Sequence, residues 1–421
     1  MLLQFSVENF RSIKEKVVFS LEASSDKAHP DNVAMVGTER VLKGAAVFGA
    51  NAAGKSNLFK ALTAAITTVR TSNVRQIGEQ LSYIYPFAFD KTSAEKPTSF
   101  EFVFLHEGLK YVYGFSATRD KVVTEYLYVY KSSKATTVFK RDEFAREKYR
   151  FTNQSLKKQL EPLVERNTDN KLFLATSAMW NCEETKAPMM WFMQGVNTFD
   201  QRYGAPLPSA GQMFEEDTDG SLRRFMKNIL RVADINISDY EFKSFDKLEQ
   251  EINIPGRFQN VRLLQKELSI RTIHDVVDEN GEIVQYKLDL SEESRGAQNL
   301  FFFSPFFQKA LLTGETLFID EFDAGLHPTL VLFLFNLFNN PDVNKSNAQL
   351  IISSHTIALL DLQELRRDQI YFMSKDQNTG ASELYSLDEF SPRTREDICK
   401  AYMLGRYGAV PFVGEGAGLW E

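Results

Sequence analysis

Cysteine is almost absent from this sequence of 421 residues, which contains only Cys182 and Cys399. The two form no C-x-x-C pair, so we expect neither a disulfide framework nor a zinc site. Long hydrophobic runs are also lacking. The most apolar stretch, 300–312, is interrupted by a proline, a glutamine and a lysine, whereas a membrane-spanning helix needs about 20 apolar residues. The sequence therefore predicts a soluble protein that does not enter a membrane.

Positive charge is in deficit, because the formal net charge is -7 and the pI is about 5.5. This balance argues against a basic surface throughout but leaves room for one basic patch. Residues 1–8 alternate like a strand rather than forming a signal peptide, so we expect a cytoplasmic protein. The length permits two or three domains of roughly 100–200 residues each.

One glycine-rich stretch, residues 49–56, fits the pattern G-x-x-x-x-G-K-[ST] at every fixed position. It follows an apolar strand and precedes apolar residues at helical spacing. Glycines let the backbone wrap a phosphate, and a helix N-terminus favours an anion. We predict an ATP site in which Lys55 reaches the β- and γ-phosphates and the Ser56 hydroxyl ligates Mg²⁺. The predicted binding set of this loop also includes Asn51, Ala53, Gly54 and Asn57.

A second apolar strand, 316–319, ends in the carboxylates Asp320 and Glu321. A strand that is apolar throughout belongs inside a parallel sheet, whose carboxyl end is where ligands bind. Asp320 is predicted to hold Mg²⁺ through water, opposite Ser56. Glu321 is predicted to orient the attacking water or accept its proton. Asp323 and His327 follow within about one turn.

A third apolar strand, 349–354, leads into His355. An imidazole at this position can hydrogen-bond a γ-phosphate and report whether it is present. A helix cap or a core histidine is the alternative, and the other parts of the site favour the phosphate role. The predicted catalytic set is therefore Lys55, Glu321 and His355.

Three segments are predicted: an N-terminal lobe at 1–150, a mainly helical insert at 151–268 and a C-terminal lobe at 269–421. The N-terminal lobe carries the phosphate loop and, from 98 to 140, short strands with alternating aromatics that indicate an antiparallel meander. We favour sheet packing over base stacking for these aromatics. Asn280-Gly281 predicts a hairpin turn, and the glycine-rich residues 414–421 predict a flexible tail.

The order of these parts resembles the ABC-type ATPases, in particular the SMC and recombination-repair branch. The opening Glu-Asn-Phe-Arg-Ser at 8–12 looks like that branch, and residues 290–298 resemble the ABC signature around Ser294 and Gly296. The resemblance implies an α/β ABC-type P-loop head with an antiparallel β subdomain. It also implies that Arg11 touches the nucleotide phosphates and that Ser294 and Gly296 cap the γ-phosphate of the other protomer.

Such a signature implies an ATP-sandwiched homodimer, or a higher oligomer built from it. In this reading residues 322–327 resemble the dimer-contact loop and His355 the switch histidine. The chain departs from the transporter pattern, because the signature lacks paired glycines. No convincing Q-loop glutamine is present, and residues 85–87 lie near where that lobe begins. The absence of sustained heptads predicts that a long coiled-coil arm is missing.

A closer resemblance is to compact prokaryotic AAA-type ATP-binding proteins related to the overcoming-lysogenization-defect (OLD) ATPases. It depends on Asp-Glu-x-x-x-x-Leu-His-Pro at 320–328 and on Gly-Arg-Tyr-Gly-Ala-Val-Pro at 405–411, besides the opening and the signature. The resemblance implies anti-phage defence or abortive infection beside a separate effector, such as a Toprim-like or HNH nuclease.

Three functions follow from these observations. The first is an ATPase switch or sensor that controls an effector in trans, because the chain shows no nuclease motif of its own. The second is a DNA-maintenance or repair ATPase acting directly on nucleic acid. Its support is a basic stripe at helical spacing, Arg223, Lys227 and Arg231, with Arg224 beside it. A solvated or partner-binding face is the alternative for the stripe. The third, a transporter ATPase, fits the opening and the signature less well.

Overall fold

The computed structural model describes residues 1–200, 207–252, 261–393 and 396–411. The predicted tail at 414–421 lies outside the described residues. The strands are β1 (Leu2–Glu8), β2 (Val17–Ser20), β3 (Val33–Val36), β4 (Glu39–Leu42), β5 (Gly44–Phe48), β6 (Thr98–His106), β7 (Leu109–Ala117), β8 (Val122–Tyr130), β9 (Ala135–Asp142), β10 (Tyr149–Arg150), β11 (Val196–Asp200), β12 (Asp239–Ile252), β13 (Val261–Val277), β14 (Ile283–Asp289), β15 (Thr316–Asp320), β16 (Gln349–Ser353), β17 (Ile370–Lys375) and β18 (Ser382–Ser386).

The helices are α1 (Lys55–Arg70), α2 (Lys91–Ala94), α3 (Gln154–Val164), α4 (Phe173–Met179), α5 (Glu183–Met190), α6 (Leu207–Glu216), α7 (Ser221–Val232), α8 (Arg295–Thr313), α9 (Pro328–Asn339) and α10 (Ile398–Met403). Within the described ranges the longest is α8, with 19 residues. None of the helices in those ranges combines the length and apolar character needed to cross a membrane.

A central sheet carries the order β11-β15-β16-β5-β17-β18. Its strands run parallel, apart from β18, which is antiparallel to β17. The strands β5, β15 and β16 are buried along their whole length, which explains their continuous apolar sequences. Because parallel strands end at one edge, the loops after β5, β15 and β16 lie side by side. The predicted α/β class is confirmed.

A second, antiparallel sheet has the order β10-β9-β8-β7-β6-β1-β2. In β6 the buried Phe100, Phe102 and Phe104 alternate with less buried residues, as the period of a strand requires. The Phe104 ring stacks on Trp191 with 4.1 Å between ring centroids. The predicted meander is confirmed, and these phenylalanines pack in the core rather than forming a platform for bases.

A buried glutamine joins the two sheets. The side chain of Gln349, at the start of β16, accepts a hydrogen bond from Leu2 N at 2.6 Å. Its amide nitrogen donates to Leu2 O and Leu42 O, both at 2.9 Å. Since a buried amide is costly unless its partners are supplied, this side chain fixes β1 beside the central sheet. The loop after β1, which contains Arg11, is thereby held near the phosphate loop.

The segment 151–268 contains helices α3 to α7 together with two features that the sequence did not predict. Strand β11 lies at the edge of the central sheet, in parallel register with β15. That pairing is non-local, so no nearby turn signals it. From Asp239 the chain forms strand β12, in which Tyr240 and Phe242 alternate with charged residues. This period of two is typical of a strand rather than a helix.

A third sheet has the order β12-β13-β14 and is antiparallel throughout. Val277 and Ile283 pair across the turn that contains Asn280-Gly281, so the predicted hairpin is confirmed. The base of β12 packs against α8, since the Tyr240 ring lies edge-on to Phe301 with 5.0 Å between centroids. The third sheet therefore contacts α8 at Phe301, in the first half of the helix.

Candidate functional site

The phosphate loop connects β5 to α1 and is shaped by two glycines. Gly49 has φ +154°, and a Cβ at this position would lie 2.3 Å from Met373 O. Gly54 has φ +113°, and its Cβ would lie 2.4 Å from Ser382 Oγ. A side chain at either position would collide with neighbouring atoms and strain the backbone. The loop therefore keeps its curvature only with glycine at both ends.

Lys55 is the first residue of α1, and its side chain folds back over the loop. Its Nζ donates to Gly49 O at 2.6 Å and to Ala50 O at 3.2 Å. Burial lowers the pKa of the ammonium group, whereas the carboxylates of Asp320, Asp323 and Glu321 act in the opposite direction. These electrostatic contacts bring the loop and the predicted carboxylates into one site.

The two carboxylates at the end of β15 are organised by a serine on β16. Ser353 Oγ donates to Asp320 Oδ1 at 2.5 Å and accepts from the main-chain N–H of Glu321 at 2.8 Å. Asp320 is almost fully buried. Glu321 has φ +54°, a conformation that costs free energy outside glycine and clusters at functional sites. One hydroxyl thus fixes both the side chain of Asp320 and the backbone of Glu321.

His355 follows β16 and is held by the loop after β15. Its main-chain N–H donates to Asp323 Oδ2 at 2.9 Å, and Thr356 Oγ1 donates to the same oxygen at 3.0 Å. Burial lowers the pKa of the imidazole, and the positive charge of Lys55 lowers it further. The ring is therefore neutral near pH 7 and can donate an N–H hydrogen bond to an anion.

The N-terminal loop lies against the start of α1. Ser12 Oγ accepts from Asn57 Nδ2 at 2.7 Å, and Ser382 Oγ lies 2.8 Å from both Ser12 Oγ and Ala53 O. Arg11 has φ +51°, and its guanidinium lies 4.5 Å from the centroid of the Tyr85 ring. Arg11 is the neighbour of Ser12 and thus lies next to the phosphate loop, and its guanidinium group stacks on the Tyr85 ring.

The signature residues lie at the start of α8. Ser294 is exposed, and its Oγ caps the helix by accepting from Ala297 N at 3.2 Å. Gly296 packs so closely that a Cβ would lie 2.4 Å from Gly325 O. Asn299 Nδ2 donates to Ala324 O at 2.7 Å. The signature is therefore joined to the loop that follows Asp320 and Glu321, and its serine faces outward.

Magnesium was predicted to lie between Ser56 and Asp320. Among the described residues, no three His, Cys, Asp or Glu side chains gather as a cage for a metal ion. Mg²⁺ in phosphate-transfer sites keeps several waters and uses one or two protein ligands besides the phosphates. The donor set of one hydroxyl and one buried carboxylate fits that requirement.

A cavity of about 1100 Å³ adjoins the outer side of the phosphate loop. Its walls come from residues 50–53, from Phe87 and Phe89, and from the turn at 374–380. The Phe89 side chain is 66% exposed, and Lys375 Nζ lies 5.4 Å from its ring centroid. The cavity therefore offers an aromatic surface and polar groups beside the phosphate-binding backbone.

The basic stripe on α7 is partly neutralised within the chain. Arg223 Nε lies 2.8 Å from Asp239 Oδ1, and Lys227 Nζ lies 3.1 Å from Asp239 Oδ2. Arg231 is exposed. Two of the three cations thus contact one carboxylate, which favours a solvated or packed face over a free phosphate-binding stripe.

The sequence did not identify Ser12, Ser353, Ser382 or Phe89 as members of the site. Ser353 ends the strand before His355, so its place beside Asp320 could have been inferred from the parallel order of the strands. Ser12 and Ser382 are separated by 370 positions, and no local pattern connects them.

The fold and the site define an α/β protein with a P-loop, in which the phosphate loop, a strand that ends in two carboxylates and a histidine lie at the same edge of a parallel sheet. The sequence matches a family model described as "AAA domain, putative AbiEii toxin, Type IV TA system" over residues 45–171 and 216–361. These residues make up more than half of the chain, which therefore belongs to this family.

The chain is also similar to solved structures of SMC head domains and of one part of an ABC transporter complex. The SMC head domain from Thermotoga maritima is 14% identical, with 91% of this chain and 98% of that chain covered and a TM-score of 0.37. The SMC head bound to the C-winged helix domain of ScpA is 14% identical, with 91% of this chain and 97% of that chain covered and a TM-score of 0.41. The structure of cbiO1 from Clostridium perfringens, part of the ABC transporter complex cbiONQ, is 12% identical, with 97% of this chain and 98% of that chain covered and a TM-score of 0.32. No curated protein matches the chain.

Proposed function

We propose that this chain hydrolyses ATP as a dimer, with each ATP held between the phosphate loop of one protomer and the signature of the other. The observation that carries the proposal is the convergence of Lys55, Asp320, Glu321 and His355 at one edge of the central sheet. The exposed position of Ser294 supports a signature that serves a second copy.

In this proposal each group has a defined task. The backbone of the loop and Lys55 bind the phosphates, and Ser56 with Asp320 holds Mg²⁺, which neutralises phosphate charge. Glu321 orients the attacking water and accepts its proton. His355, neutral at pH 7, hydrogen-bonds the γ-phosphate. Arg11 adds positive charge from the N-terminal loop.

The nucleoside is assigned to the cavity beside residues 50–53. Base stacking on an aromatic ring contributes about 1–3 kcal/mol in other nucleotide complexes, and Phe89 offers such a ring. Lys375 and Asn378, from the same turn, supply polar groups for the base or ribose. This assignment places the triphosphate on the loop and the base toward solvent.

The dimer is proposed to act as a switch that controls a separate effector, most simply a nuclease, in anti-phage defence. The family description, which names a toxin of a type IV toxin–antitoxin system, supports a role of this kind. The resemblance to the OLD-related ATPases also supports a role in anti-phage defence. We assign the ATPase lobes to 1–150 and 269–421, to which the intervening segment adds strand β11 of the central sheet. Effector recognition is assigned to the rest of 151–268, and the protein is proposed to act in the cytoplasm.

The central test is Glu321→Gln, which keeps the shape of the side chain and removes the base. We expect ATP affinity to stay the same, turnover to fall by a factor of about 100 or more, and ATP to trap a dimer detectable by light scattering after gel filtration. Glu315→Gln, at the residue that directly precedes the same strand, is the control. A Glu321→Gln protein that remains monomeric with ATP would contradict the proposal.

A mixing experiment tests whether the signature acts in trans. Lys55→Ala and Ser294→Arg proteins should each be inactive alone. A mixed dimer contains one site with an intact loop and an intact signature, so mixing should restore ATPase activity. If the mixture stays inactive while both variants dimerise with wild-type protein, the signature does not serve the other protomer.

The effector can be identified by purifying the tagged Glu321→Gln protein from its native host in the presence of ATP and determining which molecules accompany it. The tagged Lys55→Ala protein, purified in the same way, is the control. A nuclease-like chain that accompanies only the trapped form would support the switch. DNA without a protein partner would favour the alternative, an ATPase that acts directly on nucleic acid.

That alternative has one specific observation behind it, the stripe at Arg223, Lys227 and Arg231. The contacts of Arg223 and Lys227 with Asp239 weaken this support. Reversing the charge of Arg231 alone, and then of all three residues, should leave DNA affinity unchanged in a salt titration. A loss of affinity together with a smaller salt slope would favour the DNA-binding function.

A further inference from the structure

The residue immediately before the signature serine is held by the third sheet. Glu293 Oε1 lies 2.7 Å from His274 Nε2 and 2.5 Å from Thr272 Oγ1. Because a carboxylate only accepts hydrogen bonds, the imidazole carries its hydrogen on Nε2 and donates it. The side chains of His274 and Glu293 are only 16% and 11% exposed. This is a specific, largely buried contact between β13 and the signature.

Glu293 is also tied to the helix that it precedes. Its carbonyl oxygen accepts a hydrogen bond from Gln298 Nε2 at 2.8 Å, within the first turn of α8. Its side chain and its backbone are thus bound to different elements. Ser294 lies between them, so its position depends on where β13 places the Glu293 carboxylate.

Strand β13 is well placed to impose that position. At Thr272 it is paired with β12 on one side and with β14 on the other, and His274 pairs with Tyr286 of β14. Thr272 Oγ1 also lies 3.3 Å from Leu288 O. Since both donors belong to residues that are paired with a neighbouring strand, the third sheet restrains their positions.

We propose that Thr272, His274 and Glu293 form a positioning device that aligns Ser294 with the ATP bound by the other protomer. This inference rests on the proposed ATP-sandwiched dimer. Desolvating a carboxylate costs free energy unless it is paired with good geometry, and the pairing fixes one orientation. A partner that displaces the paired strands β12 and β13 would displace Ser294 as well, which gives the proposed switch a route to the site.

The same strand provides a matched control. Arg271 lies next to Thr272 but on the opposite face of β13, where its Nε is 3.2 Å from Asp289 Oδ1 in an ion pair with both side chains more than half exposed. Arg271→Ala removes an ion pair from the same sheet without touching Glu293. Exposed pairs of this kind contribute little to stability.

The test compares His274→Ala, His274→Gln and Arg271→Ala in the full-length protein. We expect His274→Ala to keep its affinity for a fluorescent ATP analogue but to lose turnover by a factor of about 10 or more. ATP-dependent dimerisation in the Glu321→Gln background should weaken in parallel. His274→Gln retains an N–H donor and should recover most of both properties, and Arg271→Ala should behave like wild type.

Equal turnover for His274→Ala and Arg271→Ala would overturn the inference. So would a His274→Gln protein as defective as His274→Ala, because the lost property would then be packing rather than the donated hydrogen bond. If His274→Ala does not fold, Thr272→Val, which deletes the other donor, is judged by the same criteria. A Glu321→Gln parent that fails to dimerise with ATP would instead refute the proposed function on which the inference rests.

Discussion

The main-chain N–H of His355 donates a hydrogen bond to the carboxylate of Asp323, with 2.9 Å between N and Oδ2. The hydroxyl of Thr356 donates to the same oxygen at 3.0 Å. These two bonds connect the loop after β15, which begins with Glu321, to the loop after β16. The carboxylate of Asp323 therefore holds the backbone from which the His355 side chain extends.

Asp323→Ala should release the His355 loop. The substitution removes the acceptor of two hydrogen bonds, so we expect a loss of about 1–3 kcal/mol in the free energy of unfolding. Turnover should fall by a factor of about 10 or more, while ATP affinity changes little, because the hydrogen bonds that hold Lys55 over the phosphate loop do not involve Asp323. Urea denaturation and steady-state ATPase kinetics measure the two effects.

Thr356→Val is the matched control, because it removes one of the two donors and leaves the bond from His355 N in place. It should retain most of the turnover. If Asp323→Ala has wild-type turnover, the alignment of His355 is not required for hydrolysis.

Lys55→Ala should abolish ATP binding. The ammonium group lies over the loop and interacts with three carboxylates. Losing a charged partner of the phosphates corresponds to about 3 kcal/mol, or roughly a hundredfold in affinity. Lys60→Ala, on the same helix, is the control. Titration with a fluorescent ATP analogue measures the affinity of each variant. Normal affinity in Lys55→Ala would show that the triphosphate binds elsewhere.

Local patterns predicted the members of the site that depend on one strand and its following loop, such as Lys55, Asp320 and His355. A phosphate loop or a strand that ends in carboxylates is encoded in consecutive residues. Ser382 contributes through contacts with distant parts of the chain, at Ser12 and Ala53, which one sequence does not reveal. The parallel pairing of β11 with β15 was missed for the same reason.

Gly296→Ala should separate nucleotide binding from dimerisation. Its Cβ would lie 2.4 Å from Gly325 O, so the start of α8 must shift away from the loop after β15. We expect unchanged affinity for the fluorescent ATP analogue, because the phosphate loop is not involved, and weaker ATP-dependent dimerisation in the Glu321→Gln background. Ser291→Ala, at an exposed position outside the Ser294–Gly296 core of the signature, is the control. Undiminished dimerisation would mean that this contact does not position the signature.

Phe89→Ala tests the assignment of the nucleoside to the cavity beside the phosphate loop. If the base stacks on this ring, the substitution should cost about 1–3 kcal/mol, which corresponds to an affinity for ATP that is lower by a factor of about 5 to 150. Affinity for inorganic triphosphate, which has no base, should stay the same. Competition against a fluorescent ATP analogue measures both ligands. Phe144→Ala, which removes a ring that is 81% exposed on the meander, should change neither affinity. Equal losses for ATP and triphosphate would instead show that Phe89 supports the loop rather than the base, because only the shared phosphates could then be affected.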